Sequence, residues 1–295
     1  MKTSAFLIHA LSPLHAGTGQ SVDIIDLPIA RMRATGIPIV PGSTIKGVLR
    51  DIRKERGELE EEPLLAVFGP ETKEADKHAG ALMIGDARLL ALPVRSFKGT
   101  FAWATCPMLL ALARRDLEDA GLRSPPRVAP TAGTWARVGS IDGPSGSLVT
   151  YQGRVYLEDL DLEVAAAPEV AAWGALLANQ VATSDAAWLE RRFVVVDDET
   201  MSFFWETQTQ LDTRVRIDAE RRTVADGALW IEESLPPETL LLGLACADRS
   251  RRKDHTLSAE QVLAQGLREE TVLQLGGKAT VGRGRCRLLA VREVV

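Results

Sequence analysis

Hydrophobic and polar positions alternate at two periods along this chain, and the switches between them lay out its elements. Residues 3–11 (TSAFLIHAL) form an apolar, strand-like run that leads straight into a Gly-rich turn, Ala16-Gly17-Thr18-Gly19. Then the period lengthens. Ile45, Val48, Leu49 and Ile52 follow the i, i+3, i+4, i+7 spacing of a buried helical face and predict a helix over 43–57. Lys46, Arg50, Arg53 and Lys54 fall on the other face as a basic stripe. Ser43 stands where it can cap the first turn, with backbone N–H groups directed outward beside those cations. After an acidic linker at 58–62, residues 80–94 read as one strand or two. Residues 99–105 read as another strand, and Pro107 opens a helix to about Ala120.

Residues 121–150 are rich in Pro, Gly and Ser and predict a long irregular insertion. Residues 152–164 look like a strand, with short helices near Val170–Leu177 and Ser184–Arg191. From Thr207 to Asp218 apolar and polar residues alternate strictly, so a long strand carries one polar face. A polar turn (Ala219–Arg222) and a second run, Thr223–Ile231, complete a β-hairpin that either projects from the body or forms a plain sheet edge. Beyond it come a buried strand at Leu240–Ala245, a basic loop at Arg249–Lys253 and a helix announced by the capping box of Ser258 and Gln261. A strand at Thr271–Leu275, a glycine loop and a last strand from Cys286 to Val294 end the chain.

Composition narrows the class. The 295 residues are 45% hydrophobic and 25% charged, which suits a globular chain with a sizeable core. No apolar run is long enough to cross a bilayer, and the N-terminus lacks a signal-peptide pattern. The three cysteines are far apart, without CxxC spacing, and read as buried thiols in a reducing, cytoplasmic setting. A net charge of −5 argues against a protein that coats nucleic acid indiscriminately, so local basic clusters must decide.

The glycine loop is one such cluster. From Gly277, GKATVGRG resembles the phosphate-loop pattern, but Arg283 stands where Lys is needed and Gly284 where a hydroxyl is needed. A phosphate loop opens a helix, whereas RCRLLAVREVV reads as a strand, which argues against nucleotide triphosphate hydrolysis. What remains is a loop with Lys278, Arg283, Arg285 and Arg287 and no acid among them, a pattern that favours phosphates. The order of strands and helices suggests a ferredoxin-like sheet, the topology of the RRM, although the aromatic RNP signature is absent.

Five stretches together resemble one family: PLHAGTGQSVDIIDLPIAR, GIPIVPGSTIKGVLRD, PVRSFKGTFAWATCP, RVRID with TVADGALWIEESLP, and GGKATVGRGRC. They resemble the RAMP superfamily, and within it the repeated backbone subunit of type III-B CRISPR (Cmr-type) effector complexes. The resemblance implies an α+β chain, a single RAMP domain over 1–295. Its fold would be modified ferredoxin-like, with large loop insertions, one near 121–150, and a hairpin "thumb" near 200–232. It implies head-to-tail copies along a CRISPR guide RNA, other effector subunits as partners, and cleavage of complementary target RNA in antiviral defence.

In that reading the acid of the DLPI-type loop maps onto Asp26, the key cleavage residue. The His of PLHxG maps onto His15 and an acid of WxEE onto Glu232. Ser43, Lys46, Arg50, Gly277, Lys278, Arg283 and Arg285 would contact RNA. Mg²⁺ or Mn²⁺ would sit on Asp26 and RNA oxygens. Where family members often carry an aromatic after the acidic pair, this chain has Ser234. The alternatives are a non-catalytic guide-binding filament subunit, a guide-processing nuclease and a nucleotide-binding metabolic enzyme.

Overall fold

The computed structural model describes residues 1–19, 24–71, 78–130, 133–181, 185–217, 222, 224–252 and 255–292, with only the backbone course over 224–228. The chain opens with β1 (Lys2–Ala10), β2 (Ile39–Val40), α1 (Gly42–Glu55), α2 (Glu61–Phe68), β3 (Leu82–Ile84) and β4 (Ala87–Ser96). It continues through β5 (Thr100–Thr105), α3 (Pro107–Asp119), β6 (Trp135–Val138), β7 (Thr150–Tyr151), β8 (Arg154–Leu157) and β9 (Leu160–Ala166). Next come α4 (Pro168–Val181), α5 (Ala186–Glu190), β10 (Phe193–Val195) and α6 (Asp198–Thr207). Then follow β11 (Gln210–Ile217), β12 (Val224–Ser234), β13 (Leu240–Ala247), α7 (Ala259–Gly266), β14 (Glu270–Gln274) and β15 (Arg285–Ala290).

The architecture is mixed α/β. One 13-stranded sheet runs in the order β14-β15-β1-β13-β4-β5-β10-β6-β9-β8-β7, with β2 and β3 added beside β4 and β13. Neighbours from β14 to β4 are all antiparallel. Pairing of Ser96 with Leu157 joins β4 to β8 and closes the second half on itself, in the manner of a barrel. β11 and β12 pair only with each other as named strands, as a separate two-stranded hairpin.

The central strand β1 explains its own unbroken apolar run: it is buried on both faces. Phe6, Ile8 and Ala10 enter a core shared with Ile45 and Leu49 of α1, while Ala5 and Leu7 enter a second core shared with Leu110, Trp173 and Leu177. Ile45 and Leu49 are fully buried, so truncating either to Ala should cost about 2–5 kcal/mol.

Most predicted elements stand within a few residues of expectation, including the capping box of Ser258 and Gln261. Four points differ. The acidic linker continues into α2, whose Glu61 and Glu62 suit the positive end of a helix dipole. Residues 198–207 form α6, with Asp197 capping its first turn. The single strand at 152–164 is a hairpin, β8–β9, turned at Glu158 with φ 51°. Ser43 does not cap α1: the helix starts at Gly42, whose N–H donates to Asp86 Oδ1 at 2.8 Å. The carboxylate that answers this helix end comes from the β3–β4 turn, beyond the reach of a local pattern. The turn of the long hairpin at 218–221 and 223, Asp23, Lys253 and 293–295 lie outside the described residues.

Candidate nucleic-acid interface and cleavage site

Three chain segments meet where β1 ends. Residues 11–19 leave β1, residues 24–31 return beside them, and the β14–β15 loop closes over the first of these. Leu14 exchanges backbone bonds with Leu235 at 2.8 and 2.9 Å, and Ala30 N donates to Ala16 O at 2.7 Å. Gly284 N donates to Pro13 O at 2.8 Å, and Gly277 N donates to His15 O at 3.0 Å. Gly276 has φ 71°, and a Cβ there would stand 2.1 Å from His15 O, so only glycine allows this approach.

His15 is buried, and its Nδ1 lies 2.6 Å from Glu233 O. A carbonyl can only accept, so Nδ1 carries the hydrogen and Nε2 is the atom left to take or give a proton. Nε2 faces Gly17, where a Cβ would come within 2.7 Å of it.

Asp26 is half-buried, not sealed. Its Oδ2 accepts from Ile231 N at 2.8 Å. Leu27 lies alongside Glu232 in a parallel bridge, with Leu27 N bonded to Ile231 O at 3.1 Å and Glu233 N to Leu27 O at 3.0 Å. The loop is thus stitched to the root of β12, and among the described residues Asp26 is bonded through Oδ2 alone.

Glu232 sits in a ring of cations. Lys278 Nζ is 2.7 Å from Oε1, Arg214 Nε 3.4 Å from Oε2 and Arg283 Nη1 3.7 Å from Oε2, while Trp230 Nε1 donates to Oε1 at 2.7 Å. Burial alone would raise this carboxyl. Its hydrogen bonds from Lys278 and Trp230 and the charges of Lys278 and Arg214 outweigh burial and hold it at about 2. Glu232 is therefore ionised at working pH and 2% exposed, which suits an electrostatic anchor and not a proton donor.

The glycine loop departs from its reading as four free cations. Arg283 is 3% exposed and donates to Ser234 Oγ at 2.6 Å and to Asp212 Oδ2. Lys278 pairs with Glu232, and Arg287 with Glu270. The acids missing from the loop arrive from the hairpin, where Asp212 and Glu232 are cross-strand partners. Gly277 is exposed, but its N–H is spent on His15. Arg285 is exposed, with its backbone held by Ser12.

Ser43, Lys46 and Arg50 form a second station. Lys46 Nζ donates to Leu82 O at 2.7 Å and Arg50 Nη1 to Pro70 O at 3.1 Å. Among the described residues neither meets a carboxylate. Burial, and then the charge of Arg50, push the Lys46 ammonium down. Leu82 pairs with Ala247, which lies opposite Lys2, while the glycine loop joins at Ala10; eight residues of β1 separate them, roughly 25 Å at the usual strand rise. The structure does not bring this station into the cluster around His15.

Sequence reasoning missed Glu233, Asp212 and Arg31. Glu233 is 2% exposed and binds Ile29 N at 3.0 Å and Arg31 Nη2 at 2.5 Å. The only prior signal was its place in WIEES, next to the acid that was singled out.

A metal site made by protein alone is not present among the described residues: no three His, Cys, Asp or Glu side chains converge. Glu232 is committed to cations, and Asp26 Oδ1 is a carboxylate oxygen here without a partner among the described residues. Among the described residues no helix is long and apolar enough to cross a membrane.

The sheet, the hairpin rooted beside an acid loop, and the glycine loop closing over a histidine define a class: the chain belongs to the RAMP superfamily, whose profile matches residues 7–287. Within it the chain is 33% identical over 287 residues to the CRISPR system Cmr endoribonuclease Cmr4 of Pyrococcus furiosus, covering 96% of this chain and 94% of that protein. It is 24% identical over 299 residues to the CRISPR system CMR subunit Cmr4 of Saccharolobus solfataricus, covering 95% and 93%. The crystal structure of oligomeric Cmr4 from Pyrococcus furiosus superposes with a TM-score of 0.74 at 26% identity, covering 99% of this chain and all of that one. A chain of the type III-B Cmr-beta complex bound to cognate target RNA shares the fold, with TM-score 0.74 at 20% identity, 99% of this chain and 98% of that one being covered.

Proposed function

We propose that this chain is the repeated, guide-RNA-binding backbone subunit of a type III-B CRISPR effector complex, and that it cuts complementary target RNA at Asp26. The observation that carries the reading is the half-exposed carboxylate of Asp26, fixed through one oxygen to the root of the hairpin. The named relatives support the same role: an endoribonuclease, an oligomer and a target-bound complex. The path β1-α1-β4, then β13-α7-β15, with neighbours β15-β1-β13-β4, supports a ferredoxin-like core into which β5 to β12 are inserted.

RNA scission of this kind joins the ribose 2′-oxygen to its own 3′ phosphorus and releases the 5′-oxygen. The two oxygens and phosphorus must lie in line, and A-form stacking prevents that. A hairpin that displaces one nucleotide removes the obstacle. Asp26 Oδ1 then takes the 2′-OH proton, and His15 Nε2 gives one to the leaving 5′-oxygen. In the alternative use of Asp26, its Oδ1 with RNA oxygens would hold a divalent cation, Mg²⁺ or Mn²⁺, which would supply neutralisation of phosphate charge in place of the base. Glu232 keeps Lys278 in place at the site's edge. Lys46 and Arg50, with Ser43, contact guide phosphates at the second station; Arg285 and the exposed face of Gly277 and Lys278 contact them at the first.

The test is Asp26→Asn in the assembled complex. Cleavage should fall by about 10²–10⁴-fold, the range for loss of an acid–base group, with guide binding and assembly intact. Normal cutting by that variant would hand the function to the non-catalytic filament reading or to another site.

A further inference from the structure

Every polar atom of Glu233 is bonded to one of the two segments that carry the proposed chemistry. Its N–H donates to Leu27 O at 3.0 Å, and its carbonyl accepts from His15 Nδ1 at 2.6 Å. Its Oε2 accepts from Ile29 N at 3.0 Å, and its Oε1 from Arg31 Nη2 at 2.5 Å. Arg31 is itself tied to Trp205 O at 2.9 Å and Gly36 O at 3.1 Å, so the far end of the loop is anchored to α6.

From this we infer that Glu233 is a positioning residue for RNA cleavage. Its main chain sets the His15 tautomer and holds Leu27, and its carboxylate clamps Ile29 and Arg31, so that Asp26 meets the hairpin at one fixed depth. The inference rests on the reading that Asp26 and His15 carry the cut. A buried carboxylate with two donors on its two oxygens is satisfied; an amide is not. In Glu233→Gln one side-chain oxygen must choose between Ile29 N–H and Arg31, and the new NH₂ faces the donor that loses. The loop then loosens at Ile29 and Arg31, three and five residues beyond Asp26, while the cores on either side of the sheet are untouched.

The experiment compares wild type, Glu233→Gln and Asp26→Asn in the assembled guide-loaded complex, with single-turnover cutting of a cognate target RNA. Glu233→Gln should slow the cut about 10–100-fold, the scale of a misplacement near 1 Å, with target affinity within about twofold of wild type. Hydrogen exchange on the full chain should show faster exchange over 24–31 and no change over β1 and β13. An unchanged rate, or a rate loss matched by an equal loss of affinity, overturns the assignment. Should Glu233→Gln fail to fold, Arg31→Gln removes the other half of the clamp. A several-fold slowing in that variant sustains the assignment, and an unchanged rate overturns it. If Asp26→Asn cuts normally, the cleavage reading itself fails, and the exchange over 24–31 still decides whether Glu233 holds that loop.

Discussion

Two regions of this molecule carry basic residues next to glycine or a helix start, and they resemble each other in sequence far more than in structure. In the β14–β15 loop the cations meet buried acids: Lys278 meets Glu232, and Arg283 meets Asp212 and Ser234. On α1, Lys46 and Arg50 meet main-chain carbonyls and each other's charge. A cation with an acid counterpart inside the protein is part of the scaffold. A pair of like charges without one is relieved by an anion from outside. The difference teaches that a basic cluster is read correctly only when its counter-ions, wherever they lie in sequence, are known.

The comparison can be broken most decisively at Glu232. Replacing it with Ala leaves Lys278, Arg214 and Arg283 facing one another, and should cost about 3–5 kcal/mol, as breaking buried ion pairs does. The urea midpoint reads this directly; an unchanged midpoint would mean the ring is dispensable. Acid unfolding sharpens the same point. The Glu232 carboxyl is held at about 2, below its ordinary 4.5, so its stabilising contribution is whole above about 4.5 and fades as pH falls to 2. The full shift corresponds to roughly 3 kcal/mol. Glu232→Gln should flatten the stability profile in that window, measured by denaturation at stepped pH.

Gly17→Ala probes the site without touching a charge. The added methyl would meet His15 Nε2 at 2.7 Å and swing the ring, slowing the cut up to ~10²-fold while the fold persists. Wild-type kinetics in that variant would remove His15 from the chemistry.

The smallest effect on stability belongs to α1. Lys46→Ala with Arg50→Ala should cost under about 1 kcal/mol each, since each gives up one carbonyl bond. The same variant should weaken guide binding and lower the slope of log affinity against log salt by about 2. A slope equal to wild type would make α1 an ordinary solvated helix.

Much of the scaffold was legible because period and composition are local. Ile45, Val48, Leu49 and Ile52 placed α1, and Ser258 with Gln261 placed α7. Strict alternation from Thr207 marked the hairpin, although the stretch up to Thr207 belongs to α6. Asp26 and His15 were legible only through resemblance, since a lone acid in a loop has no pattern of its own. What stayed hidden depended on contacts between distant segments. Asp86 answers the N-terminus of α1, Asp212 and Glu232 neutralise a loop some fifty residues or more away, and Glu233 joins two segments more than 200 residues upstream.

The stitching of Leu27 onto β12 has a mechanical outcome. Residues 26–29 are held on the foot of the hairpin by one backbone bridge and two carboxylate bonds. Residues 26–29 and 231–233 share backbone and side-chain bonds, so a shift of the hairpin's foot carries the Asp26 carboxylate with it.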